Sequence, residues 1–138
     1  GNKVHQIDTN VFKVPSRFNS TWGGNLVDMV RSSQILQIVA EDNLCGNAAV
    51  VGQYLKEGLQ TLAGKHDKVT NVRGKGLLCA FDFPNKSMRD EFIKKGMQHN
   101  VMFLGCGNQT IRFRPALCME KKHIDEGLAI METILPAL

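Results

Sequence analysis

The chain has 138 residues, 43% of them apolar and 22% charged, and carries a net charge of +4. This length suits one domain of roughly 100–150 residues with a real core, and the composition excludes a mainly disordered chain. No apolar run approaches the roughly 20 residues that a helix needs to cross a bilayer.

The start, Gly1 to Asp8, is polar and shows no signal-peptide pattern. The basic residues are scattered, the densest groups being Lys94-Lys95 and Lys121-Lys122. Aromatic residues make up only 7%, too few for base-stacking platforms. Nucleic-acid binding is therefore disfavoured, and a small anionic ligand fits the charge equally well. Cys45, Cys79, Cys106 and Cys118 show no two-residue spacing of a zinc or redox motif. Their apolar or small neighbours predict buried, reduced thiols in a cytosol-like compartment.

Residues 1–22 read as irregular or extended, with Val11, Phe12 and Val14 as a β-prone run stopped by Pro15. The stretch from Phe18 to Asn25 mixes cap residues, an aromatic and the Gly23-Gly24 pair, which suits a loop feeding a helix. From Leu26 the spacing of Met29, Val30, Leu36 and Ala40 predicts a helix to about Asp42. Ile35, Ile38 and Val39 widen its apolar face. That width predicts burial on more than one side, as in a helix linking two parts of a larger protein. A second helix follows Asn43, with Ala48, Val51, Leu55, Leu59 and Leu62 on one stripe and Gly64 as its stop.

Leu77, Cys79, Phe81 and Phe83 alternate with Leu78, Ala80 and Asp82, the period of a strand. Ser87 is placed to cap a third helix that turns Met88, Phe92, Ile93 and Met97 inward, with Gly96 or Asn100 at its end. Val101 to Leu104 and Thr110 to Arg114 predict two further strands, joined as a hairpin by Gly105 to Asn108. A last helix carries Ile124, Leu128, Met131 and Leu135, and Pro136 ends it. The expected fold is therefore α+β, a mainly antiparallel sheet covered by helices on one face and preceded by a linking helix.

Two positions suit anion binding. Thr21 is a hydroxyl ahead of a helix and is followed by Gly23 and Gly24, so that free N–H groups and the helix dipole favour a phosphate. The alternative is a plain helix cap. A P-loop is excluded, because no Lys-Ser or Lys-Thr follows the glycines. Arg112 and Arg114 alternate in phase on a strand, while Ile111 and Phe113 face the core side. Such an arginine can clamp a carboxylate with two parallel bonds. The alternative is a pair of solvated arginines on an edge strand. Arg73-Gly74-Lys75-Gly76 suits a turn or bulge better than a phosphate loop, since a strand and not a helix follows. The histidines, His5, His66, His99 and His123, have no metal-ligand spacing. The pairs Glu41-Asp42, Asp90-Glu91 and Asp125-Glu126 point apart on helices and read as solvated faces.

The runs Asn19-Ser20-Thr21-Trp22-Gly23-Gly24-Asn25, Arg73-Gly74-Lys75-Gly76-Leu77 and Thr110-Ile111-Arg112-Phe113-Arg114-Pro115 occur in this order. Together they resemble the C-terminal third of the class III, pyridoxal-phosphate-dependent aminotransferases. Val11 to Arg17, running into the first of these runs, is most similar to the branch that transaminates the terminal amine of L-lysine. Gly105-Cys106-Gly107 is more similar to the 4-aminobutyrate branch. The resemblance implies the C-terminal small domain of a fold-type I enzyme over residues 43–138. It assigns residues 1–42 to the end of the large cofactor domain, its phosphate-contacting loop and the linking helix.

It further implies that Thr21 reaches the phosphate of pyridoxal 5'-phosphate across a homodimer interface. Arg112 is implied to bind a substrate carboxylate, and no role is implied for Arg114. The resemblance also implies an amino donor and 2-oxoglutarate as substrates, with neither nucleic acid nor membrane as partner. The location implied is the cytoplasm, or the mitochondrial matrix as the alternative. The Schiff-base lysine of the family is expected upstream of Gly1, since Lys3 and Lys13 do not sit in its motif. The chain is thus expected to be a fragment, inactive alone. The competing reading from another class is a stand-alone α+β module that binds a small anion.

Overall fold

The computed structural model describes residues 2–13 and 20–138. The chain divides into two units, Gly1–Ile38 and Val39–Leu138.

The first unit opens with a short helix, α1 (Asn2–His5), in place of the expected irregular start. Val11 and Phe12 lie in a turn, not a strand. Buried Asn10 makes this turn: its Oδ1 accepts the Phe12 N–H at 3.0 Å, and its Nδ2 donates to the Ile7 carbonyl at 2.7 Å. Such local bonds outcompete a strand ladder. Val14, the last residue of the expected strand, and Pro15, its stop, lie outside the described residues, as do Phe18 and Asn19. The predicted helix is present as α2 (Leu26–Glu41). Its apolar stripe, however, buries no residue: Leu26, Val27 and Val30 are 76%, 73% and 71% exposed. The broad apolar face expected of a linking helix is present and is left exposed within this chain, as are Phe12 and Trp22.

The second unit holds α3 (Leu44–Lys65), β1 (Thr70–Lys75), β2 (Leu78–Asp82), α4 (Lys86–Gln98), β3 (Leu104–Cys106), β4 (Thr110–Phe113) and α5 (Lys121–Ile134). The strands form one antiparallel sheet in the order β1-β2-β4-β3. This is the expected α+β arrangement with one strand more. β1 takes up most of the stretch expected as a turn or bulge at Arg73 to Gly76, with a bulge at its start and the turn at its end. Its register slips between Thr70 and Arg73, and Asn71 there adopts a φ of 51°. A bulge thus lets poor strand formers stay in the ladder. The turn itself falls at Gly76, whose φ of 55° favours glycine.

Pleating sends Cys79, Phe81, Ile111 and Phe113 to the helix side, where α3 packs on β1 and β2 and α4 packs on β3. The stripe of Val51, Leu55, Leu59 and Leu62 is buried as its spacing predicts. Phe81, Phe83, Phe92 and Phe103 form a ring cluster, with the closest centroids, Phe92 and Phe103, 4.6 Å apart. Such contacts favour a defined core geometry.

Several boundaries differ from expectation. Gly64 lies within α3, which runs on to Lys65 and is capped by His66. Asn85, not Ser87, caps α4 by accepting the Met88 N–H at 3.0 Å, and Met97 points outward at 54% exposure. Val101 N–H bonds back to the Gly96 carbonyl at 2.9 Å and Asn100 takes a φ of 59°, which spends this segment on closing the helix. β3 therefore starts at Leu104, and the hairpin turn moves to residues 107–109. Of the cysteines only Cys79 is buried; Cys45, Cys106 and Cys118 are exposed, against expectation. Asp90 and Asp125 are not merely solvated: they accept from Arg89 Nε and the Tyr54 hydroxyl, each at 2.6 Å.

Candidate functional site

Arg112 sits on the central strand β4, opposite Ala80 of β2 and Leu104 of β3. Ladder partners share a face, so it lies on the sheet side away from the helices. Its Nε is buried without a hydrogen-bond partner, and no described residue pairs with its charge. A buried donor left unsatisfied costs about 1–3 kcal/mol, so the position favours an arriving acceptor. A cavity of ≈ 230 Å³ at the end of β4 and the start of β3 has Arg112, Arg114, Phe103 and, from α5, His123 and Met131 among its lining residues. Arg114 follows the end of β4 and is exposed.

Beside Arg112 lies a polar cluster that the sequence did not reveal. Asp82, 8% exposed, accepts from the Thr110 hydroxyl at 2.6 Å and from Asn71 Nδ2 at 2.7 Å. Arg73 Nη1 stands 3.1 Å from Asp82 Oδ1 and donates to the Asn71 carbonyl at 2.9 Å. Burial pushes the Asp82 carboxyl up. Hydrogen bonds from Thr110, Asn71 and Arg73 and the Arg73 charge outweigh this and hold it below its ordinary value. The available signal was Asp82 itself, an acid on an otherwise apolar strand.

Thr21 lies in an exposed turn followed by Gly24, whose φ is 80°. It is not the helix head: Asn25 caps α2, its Oδ1 accepting the N–H groups of Val27 at 2.9 Å and Asp28 at 3.4 Å. Among the described residues the Thr21 hydroxyl has no partner. It is thus neither the cap nor engaged elsewhere. Among the described residues no group of three or more His, Cys, Asp or Glu side chains could hold a metal.

A family model described as aminotransferase class-III matches residues 5–135. The chain belongs to the class-III aminotransferase family. It is 40% identical over 137 residues to an L-lysine-epsilon aminotransferase of Amycolatopsis lactamdurans, covering 98% of this chain and 30% of that protein. A mitochondrial 4-aminobutyrate aminotransferase of Sus scrofa is 34% identical over 122 residues, 88% of this chain and 24% of that protein. The solved lysine aminotransferase from M. tuberculosis superposes with a TM-score of 0.87 at 43% identity, over 99% of this chain and 32% of that one. The four-stranded sheet and its helices thus match part of a fold-type I aminotransferase. This class-III chain spans less than a third of the length of these relatives.

Proposed function

We propose that this chain is the C-terminal part of a pyridoxal-phosphate-dependent aminotransferase that moves the terminal amine of L-lysine to 2-oxoglutarate. The unpaired Arg112 guanidinium, held on a central strand with its Nε buried, carries this reading. Such a fork meets a carboxylate with two parallel N–H bonds and orients the substrate on a rigid element. Asp82, Thr110 and Arg73 satisfy one another and leave Arg112 for the substrate.

Pyridoxal phosphate, when bound, supplies the electron sink for moving an amine between two carbon skeletons. The free and exposed Thr21 hydroxyl fits a phosphate oxygen as a donor. Residues 1–42 are proposed as the end of the cofactor domain with the linking helix, and 43–138 as the small domain. The Schiff-base lysine is proposed upstream of Gly1, and the whole protein is proposed to be a homodimer. Among the described residues no helix is long and apolar enough to cross a membrane, and a cytoplasmic location is proposed. Similarity to the 4-aminobutyrate enzyme supports that amine as the alternative donor.

The test is Arg112→Ala in the whole protein. A carboxylate anchor predicts a loss of at least about tenfold in kcat/KM for 2-oxoglutarate. A smaller loss contradicts the anchor.

A further inference from the structure

Two arginines share the open face of the sheet. Arg73 of β1 and Arg112 of β4 both pair with Ala80 of β2, one from each side. Two ladder steps separate their backbones, about 10 Å, a gap that two long side chains can close. Side chains of this length can reach one small anion from both positions, yet the two situations differ. Arg73 is tied to Asp82 Oδ1, the Asn71 carbonyl and the Thr110 hydroxyl, at 3.1, 2.9 and 3.5 Å. Arg112 is tied to none of the described residues. Asp82 is in turn fixed by Thr110 and Asn71, and Thr110 stands two residues from Arg112 on the same strand face.

We propose that the Arg73–Asp82 pair is a positioning device that cancels the second cation on this face, so that Arg112 alone sets where a substrate carboxylate docks. The inference rests on Arg112 as the carboxylate anchor and adds what keeps that anchor singular. Two free guanidiniums would hold a dicarboxylate such as 2-oxoglutarate in more than one register, and only one register presents its keto carbon correctly. A free Asp82 carboxylate has the opposite effect. It lies diagonally across the ladder from Arg112, within reach of that charge, and competes with the substrate for it.

The two single substitutions therefore have distinct signatures in the whole protein. Asp82→Asn frees Arg73 and adds unproductive binding, so KM for 2-oxoglutarate and kcat fall together, by about three- to tenfold. Arg73→Gln leaves Asp82 to draw on Arg112, so KM rises about three- to tenfold while kcat stays within about twofold. The double variant removes both charges and returns both constants to within about twofold of the unaltered protein. Mere loss of packing cannot give this recovery, since the double variant would then be the worst of the three.

Additive losses in the double variant, or single variants that shift KM in the same direction, overturn the proposal. If Asp82→Asn does not fold, recovery of KM from Arg73→Gln to the double variant decides. Arg112→Ala, run alongside, separates the two claims. A loss below about tenfold there refutes the anchor itself, whereas a full loss without recovery in the double variant refutes only the pair.

Discussion

Asp82 ties one side chain's charge state to the order of the sheet face. Its carboxyl is pushed up by burial but held below the ordinary value by Thr110, Asn71 and Arg73. In the unfolded chain it titrates at an ordinary carboxylate value, near pH 4 by rough estimate. Its stabilising contribution is therefore complete above that value and is lost as the pH falls through it toward the folded one. Thermal unfolding of the whole protein between about pH 7 and pH 3 checks this. Asp82→Asn is expected to be about 1–3 kcal/mol less stable at neutral pH and to lose less on acidification. Equal acid slopes for both proteins contradict the assignment. At this scale the sequence showed Arg112, because alternation with Ile111 and Phe113 marks a strand face. It did not show that Arg73 and Asp82 sit beside it, because that needs the β1–β2 register.

Among the elements, α3 and the β1–β2 turn meet backbone to backbone. A Cβ added at Gly52 would stand 2.0 Å from the Gly76 carbonyl carbon. Gly52→Ala must push the helix off the turn and is expected to cost about 1–3 kcal/mol. Gly64, in the same helix with nothing within 4 Å of such an atom, provides the contrast. Gly64→Ala is expected to stabilise by about 0.5–1 kcal/mol through helix propensity. Denaturant midpoints of the two variants measure both, and equal shifts contradict the close approach. The helices α2, α3 and α5 were legible because their apolar residues keep helical spacing. Strand β1 was not, because Asn71 and Gly74 argue against a strand and are tolerated only through the bulge. The start of β3 was misplaced because Val101 serves the end of α4. Short polar residues such as Asn25 and Asn85 took the capping roles that Thr21 and Ser87 also suited.

For the whole molecule, composition showed a globular chain and said nothing of completeness. Unit Val39–Leu138 has a closed core of aromatic and aliphatic side chains, whereas α2 buries none of its residues and Trp22 is 72% exposed. The chain spans 30% of the length of a lysine aminotransferase it matches. The family membership rests on nearly the full chain, residues 5–135. The most direct test of the proposed amino donor is to express the whole protein and measure amine transfer to 2-oxoglutarate from L-lysine and from 4-aminobutyrate. A lysine enzyme is expected to show a kcat/KM for lysine at least about tenfold above that for 4-aminobutyrate. Preference for 4-aminobutyrate, or transfer from neither amine, would contradict it.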